Sequence, residues 1–199
     1  MARPRSADFE QQREQMLAAA AQLFATRGYT ATTMLQVAAA CGVSKATLYH
    51  YVRDKHELLA QITRGHVARL EALVQRVEVQ RLEPRARLSE LILCFMQAYE
   101  SAQAEHRVLT EDVKFLATAD RDAVLAGQRR VVAAFADAIA LLRPDLGPRR
   151  LHKPLAMLLF GMMNWTFTWL REGGALTHAS LAPLVVELFL GGLPGLPSR

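Results

Sequence analysis

A short stretch near the N-terminus, residues 41–55 (CGVSKATLYHYVRDK), concentrates side chains that can contact an anionic partner. Between positions 44 and 51 the one aliphatic side chain larger than alanine is Leu48. Its neighbours offer hydrogen-bonding or basic groups: Ser44, Lys45, Thr47, Tyr49, His50 and Tyr51. A helix presented to DNA needs short donors at its N-terminus and longer donors along its outward face. We therefore expect Leu48 to anchor this helix while its polar face contacts DNA.

The residues before this helix predict the element that positions it. Thr33 and Gln36 have the spacing of a capping box for one short helix, and Gly42 permits the turn that follows. Ser44 then caps the second short helix. Two such helices form a helix-turn-helix, whose second helix can lie in a DNA major groove. The alternative is an ordinary helical hairpin whose polar outer face is only solvated.

The local charge also favours an anionic partner. From residue 27 to residue 55 the only acidic side chain is Asp54, which forms a further capping-box pattern with Glu57. Lys55 lies at the predicted start of the next helix, where its ammonium and the backbone amides can meet a phosphate. The whole chain has a formal net charge of +5, a modest basic excess.

Composition predicts a folded, cytoplasmic chain. Its 199 residues are 51% hydrophobic, which suits one domain or a small domain joined to a larger one. The two cysteines, Cys41 and Cys94, are too few for a disulfide framework and fit a reducing cytoplasm. The first 15 residues lack the apolar core of a secretory signal. The uncharged segment 155–170 is shorter than the roughly 20 residues of a membrane span, so we expect it to be buried in protein.

The fold class predicted from hydrophobic periodicity is all-α, with about nine helices. No convincing period-2 alternation or hairpin signal appears in the sequence. The predicted helices cover about residues 10–27, 33–40, 44–51, 54–83, 86–103, 107–117, 121–143, 150–171 and 180–190.

The last two predicted helices are apolar around most of their circumference. Such a helix must bury two sides, and the chain's own core can cover one of them. We expect a second copy of the chain to cover the other side in a four-helix bundle. The residues assigned to this dimer interface are Trp165, Trp169, Leu181, Val185, Leu188 and Phe189.

Residues 16–59 closely resemble the N-terminal domain of the tetracycline-repressor (TetR) family of bacterial transcription regulators. The resemblance rests on LF at 23–24, RGY at 27–29, TT at 32–33, VAAACGVSKATLYHYV at 37–52 and DKHELL at 54–59. Cys41, where the family often has alanine, is a small departure that should pack equally well.

The resemblance implies a homodimeric regulator, expected to be a repressor, that binds a palindromic operator. It implies a DNA-binding domain over residues 1–55 and a helical ligand-binding and dimerisation domain over residues 56–199. By position, it implies DNA contacts from Thr33, Lys45, Thr47, Tyr49, His50 and Lys55.

The C-terminal half suggests the effector class. EDVKFL at 111–116 and GMMNWTFTWLREGGALT at 161–177 look like the branch of fatty-acid and sterol-ring catabolism repressors, several of which sense acyl-CoA thioesters. We therefore expect a small hydrophobic effector, an acyl-CoA or alternatively a drug-like molecule.

An effector pocket in a helical bundle needs bulky apolar walls and a few polar groups. The candidates are Phe95, Met96, Tyr99, Phe115, Phe135, Met157, Phe160, Met163, Asn164 and Phe167. Each of them could instead serve core or dimer packing. Asn164 is the most informative, because an amide in so apolar a helix must find a partner.

Other classes of protein fit the sequence less well. Its six histidines show no HExxH spacing, and neither a GxSxG motif nor a Gly-rich phosphate loop occurs, so no enzyme, metal or cofactor is expected. A membrane-associated helical adaptor built around residues 155–170 is the alternative from a different class.

Overall fold

The computed structural model describes residues 7–148, 150–170 and 173–197, and within these residues every regular element is helical. The all-α prediction is therefore confirmed. The helices are α1 (Ala7–Arg27), α2 (Met34–Ala40), α3 (Lys45–Tyr51), α4 (Lys55–Glu78), α5 (Pro84–Ser101), α6 (Gln103–Glu111), α7 (Thr118–Leu142), α8 (His152–Asn164), α9 (Thr166–Trp169) and α10 (His178–Gly192).

Most predicted helices are found, with local differences at their ends. Pro84 begins α5 instead of ending α4, because proline is tolerated in the first turn of a helix. The helix predicted near residues 107–117 becomes α6 followed by a 3₁₀ turn, Val113–Phe115. The long helix predicted over 150–171 is divided into α8 and α9, and its predicted end, Arg171, lies outside the described residues.

The chain divides into two compact units. The first comprises residues 1–66 and 104–124, and the second comprises residues 67–103 and 125–199. The segment 104–124 thus packs with the N-terminal helices, although it follows residue 55 by a long way in sequence. A division based on packing therefore differs from the functional boundary predicted at residue 55.

The helix-turn-helix in the first unit is stabilised by the signals that predict it. The Thr33 hydroxyl accepts the backbone N–H of Gln36, and the Gln36 side chain accepts the backbone N–H of Thr33, so the predicted capping box is present. Gly42 has φ 66°, a left-handed conformation that glycine adopts at little cost. Leu48 of α3 is fully buried, as its predicted anchoring role requires.

The second unit is built around a core of aromatic side chains. Phe95 of α5 packs edge-on against Phe135 of α7, with ring centroids 4.9 Å apart. Phe135 in turn contacts Phe160 of α8 at 4.7 Å. Rings at such distances add to the stabilisation that comes from burying their apolar area. These contacts hold α5, α7 and α8 together.

A buried polar pair lies where α8 gives way to α9. The Thr166 hydroxyl donates to the carbonyl of Met163 at 2.7 Å and lies 3.2 Å from Nε2 of His178. His178 is buried, and this burial lowers the pKa of its imidazole. The folded chain therefore holds His178 in its neutral form more strongly than the unfolded chain does.

Lowering the pH should destabilise the fold through His178. Below the unfolded-state pKa of about 6.5, the unfolded chain takes up a proton that the folded chain resists, so the free energy of unfolding falls with falling pH. His178→Gln should lose less stability than the wild type between pH 7.5 and 5.5. Urea titrations at fixed protein concentration measure both losses, and equal losses would refute the assignment.

One described helical stretch, His178–Gly195, is long and apolar enough to cross a membrane by length and composition. It spans 18 residues, and a third of it (33%) is buried within the protein. The segment 155–170, for which burial was predicted, is only buried on one side: Phe160 faces the core, whereas Leu158 and Trp165 are exposed. Within a single chain the inner side of this segment is therefore buried as predicted, and burial of its outer side against a second copy stays a prediction.

Candidate nucleic-acid interface

The outer face of α3 carries the polar side chains predicted to contact DNA. Ser44, Lys45, Tyr49 and His50 are exposed, and Thr47 is half-buried. The ammonium of Lys45 lies 5.7 Å from the centre of the Tyr49 ring, because residues four apart are neighbours on one helix face. The two side chains therefore form one exposed surface with a positive charge and an aromatic face.

Two predicted contact residues also cap helices. Ser44 Oγ accepts the backbone N–H of Thr47 at 3.0 Å and lies 2.8 Å from the Thr47 hydroxyl. Thr33 is exposed, and its hydroxyl donates to Gln36 Oε1 at 3.2 Å. A hydroxyl oxygen has two lone pairs besides its single donor, so Thr33, which accepts one bond and donates one, keeps acceptor capacity.

Lys55 has a different role in the structure from the predicted phosphate contact. Its ammonium donates to the carbonyl oxygens of Tyr29 at 2.9 Å, Thr30 at 3.2 Å and Thr32 at 2.9 Å. It also lies 4.5 Å from the centre of the Tyr29 ring. An ammonium has three N–H donors, so these carbonyls use all of them. We therefore propose that Lys55 holds the α1–α2 connection in place of contacting a phosphate.

Lys55→Met should separate these two roles. The variant should unfold at a lower temperature and bind its operator more weakly, while the salt dependence of binding stays at the wild-type value. A lost phosphate contact would instead reduce the slope of log affinity against log salt concentration by about 0.9 per contact. Lys45→Met is the matched control, because its exposed ammonium is predicted to meet DNA. Fluorescence anisotropy across a salt series measures both slopes.

An apolar groove of about 620 Å³ lies on the surface of the second unit, along α8, α9 and α10. Five of the six residues predicted for the dimer interface line it: Trp165, Trp169, Leu181, Val185 and Leu188. Leu158 and Leu184, which sequence reasoning missed, line it as well. Their spacing of three or four residues from other groove residues is the signal that could have found them.

The interface role predicted for the sixth residue, Phe189, is wrong. It is only 9% exposed and belongs to the core of its own chain. One step along an α-helix turns the side-chain direction by about 100°, so the neighbour of the outward-facing Leu188 points inward. Met157 is a second correction, because it is half exposed and lines the groove instead of an interior pocket.

Six of the candidate effector residues are brought together in the core of the second unit: Phe95, Met96, Tyr99, Phe135, Phe160 and Met163. Burial raises the pKa of the Tyr99 hydroxyl far above its usual range, so this group stays protonated.

Phe167 is half-buried, with its ring centre 6.4 Å from that of Trp165. The side-chain oxygen of Asn164 is buried without a hydrogen-bond partner, which is costly in an apolar environment.

The structure also corrects the prediction that Phe115 lines the effector pocket. It belongs to the first unit, where its ring stacks on that of Tyr29 with centroids 5.2 Å apart. The predicted role in the wall of an effector pocket is therefore replaced by a contact with the helix-turn-helix unit. Tyr29 itself was recognised only as part of the RGY motif, and sequence spacing gave no sign of its partner.

Comparisons with known proteins agree with this arrangement. The family model for bacterial regulatory proteins of the tetR family matches residues 16–62, and the model for the tetracycline repressor-like C-terminal domain matches residues 81–193. The HTH-type transcriptional repressor KstR2 of Rhodococcus jostii is 26% identical over 184 residues, covering 91% of this chain and 90% of that protein.

Solved structures show the same fold. A TetR-family transcriptional regulator from Bordetella parapertussis 12822 matches with a TM-score of 0.86 and 34% identity, covering 94% of this chain and 98% of that one. AibR, solved in complex with isovaleryl coenzyme A and operator DNA, shares the fold with a TM-score of 0.76 and 24% identity over 89% of this chain and 97% of its own. Since the matched C-terminal model alone covers more than half of the sequence, this chain belongs to the TetR family and is a ligand-responsive, DNA-binding transcriptional regulator.

Proposed function

We propose that this regulator binds a palindromic operator as a homodimer and represses transcription until a small hydrophobic effector releases it. The exposed apolar groove along α8, α9 and α10 carries the proposal. Leu158, Trp165 and Leu188 are each more than 60% exposed there, and a contiguous apolar surface of this kind is unfavourable in water. A second copy of the same face would cover it and complete a four-helix bundle.

A two-fold symmetric dimer explains how two copies of α3 would read DNA. Each subunit would place its helix in the major groove of one half-site, so the operator should have matching inverted half-sites. We propose DNA contacts from Thr33 and from Ser44, Lys45, Thr47, Tyr49 and His50, which all lie on or beside the exposed face of α3 or at the start of α2. The regulator would act in the cytoplasm, where the operator is accessible.

We infer the direction of regulation from a relative that matches nearly the whole chain. KstR2 of Rhodococcus jostii is a repressor, and the match covers 91% of this chain. The activator FasR of Mycolicibacterium smegmatis is 31% identical, but that match covers only 52% of this chain. We therefore propose repression, which a reporter gene behind the operator would show as lower expression when the regulator is present.

The interior of the second unit suggests which chemical groups the effector carries. An apolar effector would exchange contacts with the aromatic and methionine side chains of this core. The buried oxygen of Asn164 lacks a hydrogen-bond donor, and an N–H or O–H group of the effector would supply one. An acyl-CoA combines an apolar chain with amide N–H groups in its pantetheine arm. We propose this class of effector on the strength of that match and of the segments 111–116 and 161–177.

Release would follow if the effector favours a state in which the two reading helices have the wrong spacing. A coupling free energy of about 1–3 kcal/mol would weaken operator binding by roughly 5- to 150-fold. The effector acts only through its different affinities for the two states, so tight binding alone does not imply release.

The effector class can be tested by displacement from a labelled operator. Palmitoyl-CoA should lower the anisotropy of the labelled complex, whereas coenzyme A alone and palmitate alone should leave it unchanged. Displacement by palmitate alone would reject the thioester and retain a hydrophobic effector. A complex unaffected by all three would reject this effector class while leaving operator binding intact.

A further inference from the structure

Within the first unit, the turn between α6 and α7 contacts the α1–α2 connection through an aromatic stack. Phe115, at the end of the 3₁₀ turn, lies with its ring 24° from parallel to that of Tyr29 and 5.2 Å away. The Lys114 ammonium lies 5.2 Å from the centre of the Phe115 ring. Tyr29 is buried, so this stack excludes water from its ring. The EDVKFL segment therefore contacts the connection between α1 and α2.

Tyr29 connects three parts of the first unit. Its hydroxyl lies 3.0 Å from Nδ1 of His56, in the first turn of α4. Its ring packs edge-on against Phe24 of α1 at 5.1 Å and lies beneath the Lys55 ammonium. Its carbonyl is one of the three that hold that ammonium. Moving the Tyr29 ring would therefore disturb the end of α1, the start of α4 and the chain that leads into α2.

Two further contacts hold the 104–124 segment on α4. Arg64 forms an ion pair with Asp120, at the start of α7. His66 and His106 are both buried, with Nε2 of His66 3.2 Å from Nδ1 of His106. Arg64 and His66 are about 3 Å apart along the α4 axis, and the stack of Phe115 on Tyr29 is a third contact, made outside α4. The segment is therefore held both by α4 and by the α1–α2 connection.

We propose that Phe115 and Tyr29 are positioning residues for operator binding. Their stack fixes the α1–α2 connection and the first turn of α4, and these in turn fix the direction in which α2 and α3 face the DNA. The inference rests on the proposed operator binding and adds the residues through which the 104–124 segment sets the orientation of the reading helix. Neither ring needs to touch DNA or effector.

A positioning role differs from ordinary packing because the stack and operator binding must stabilise each other. If the stack stabilises the DNA-binding orientation, operator binding must in turn stabilise the stack. In the wild-type chain, amide hydrogen exchange in residues 112–116 should therefore slow when a bound duplex is added. A residue that only contributes to folding stability would show no more slowing than the buried amides of α5, because DNA binding slows every exchange that requires global unfolding.

Variants at position 115 complete the test. Phe115→Leu keeps an apolar side chain but loses the stack, so operator affinity should fall by about 3- to 10-fold with an unchanged salt slope. Phe115→Tyr keeps the stack and should restore the affinity. Phe189→Leu, the same change at a core phenylalanine of the second unit, is the matched control and should not alter exchange in residues 112–116.

The inference is overturned if a bound duplex slows exchange in residues 112–116 no more than in the buried core of α5, a measurement that needs no variant. It is also overturned if Phe115→Leu binds with wild-type affinity. Any duplex that the wild type binds specifically serves here, palindromic or not. Failure of the positioning role is therefore distinguishable from failure of the proposed palindromic operator.

Discussion

Leu188→Glu should convert the proposed homodimer into monomers and lower operator affinity by about 100-fold or more, because each monomer then binds only one half-site. Leu188 is 70% exposed on α10 and lines the apolar groove. Two glutamates from symmetry-related subunits would face each other or an apolar surface, and burying an unpaired carboxylate is strongly unfavourable. The monomer itself should remain folded, since the side chain lies outside the core.

Sedimentation velocity and anisotropy with a labelled operator measure the two effects. Leu141→Glu is the matched control, because Leu141 is also a highly exposed leucine (55%) but lies on α7, away from the groove. The control should remain dimeric and bind DNA normally. A Leu188→Glu variant that still sediments as a dimer would show that the groove is not the dimer interface.

Tyr49→Ala should weaken operator binding by about 10-fold or more while leaving the dimer and the folding stability unchanged. Tyr49 is exposed on α3 beside Lys45, so its removal takes away a ring that can pack on sugar and a hydroxyl that can donate to phosphate. Because the ring is not part of the core, little folding free energy depends on it.

Tyr51 provides the control on the same helix. Its ring stacks on Phe9 with centroids 4.5 Å apart, which places it on the supporting side of α3. Tyr51→Phe retains that stack, loses only the hydrogen bond that the Tyr51 hydroxyl donates to Gln12 Oε1, and should bind the operator as the wild type does. If Tyr49→Ala also binds with wild-type affinity, the exposed face of α3 is not the reading surface.

Sequence signals predicted the helix-turn-helix well because the interactions that form it join residues close together in sequence. The capping box of α2, the left-handed Gly42 and the buried Leu48 all depend on residues a few positions apart, and all three are present. The alternation of buried and exposed sides of α8 and α10 was partly predictable for the same reason. A helical period identifies a face, but an error of one position, as at Phe189, reverses its direction.

Long-range contacts could not be predicted from spacing. Nothing near Lys55 in sequence indicates that carbonyls 23 to 26 residues earlier occupy its ammonium. Phe115 has the composition of a pocket wall, and only the fold reveals its contact with Tyr29. Side-chain type restricts what a residue can do, whereas its tertiary neighbours decide which of those roles is open to it.

The most direct test of the central claim is a selection of bound duplexes from a random DNA library at near-physiological salt. We expect enrichment of two inverted half-sites whose centres lie about 10 base pairs, or a multiple of that, apart. Such a sequence would establish that a symmetric pair of α3 helices reads the operator. A single unrepeated site, or no enriched sequence, would contradict the proposed dimeric reading of DNA.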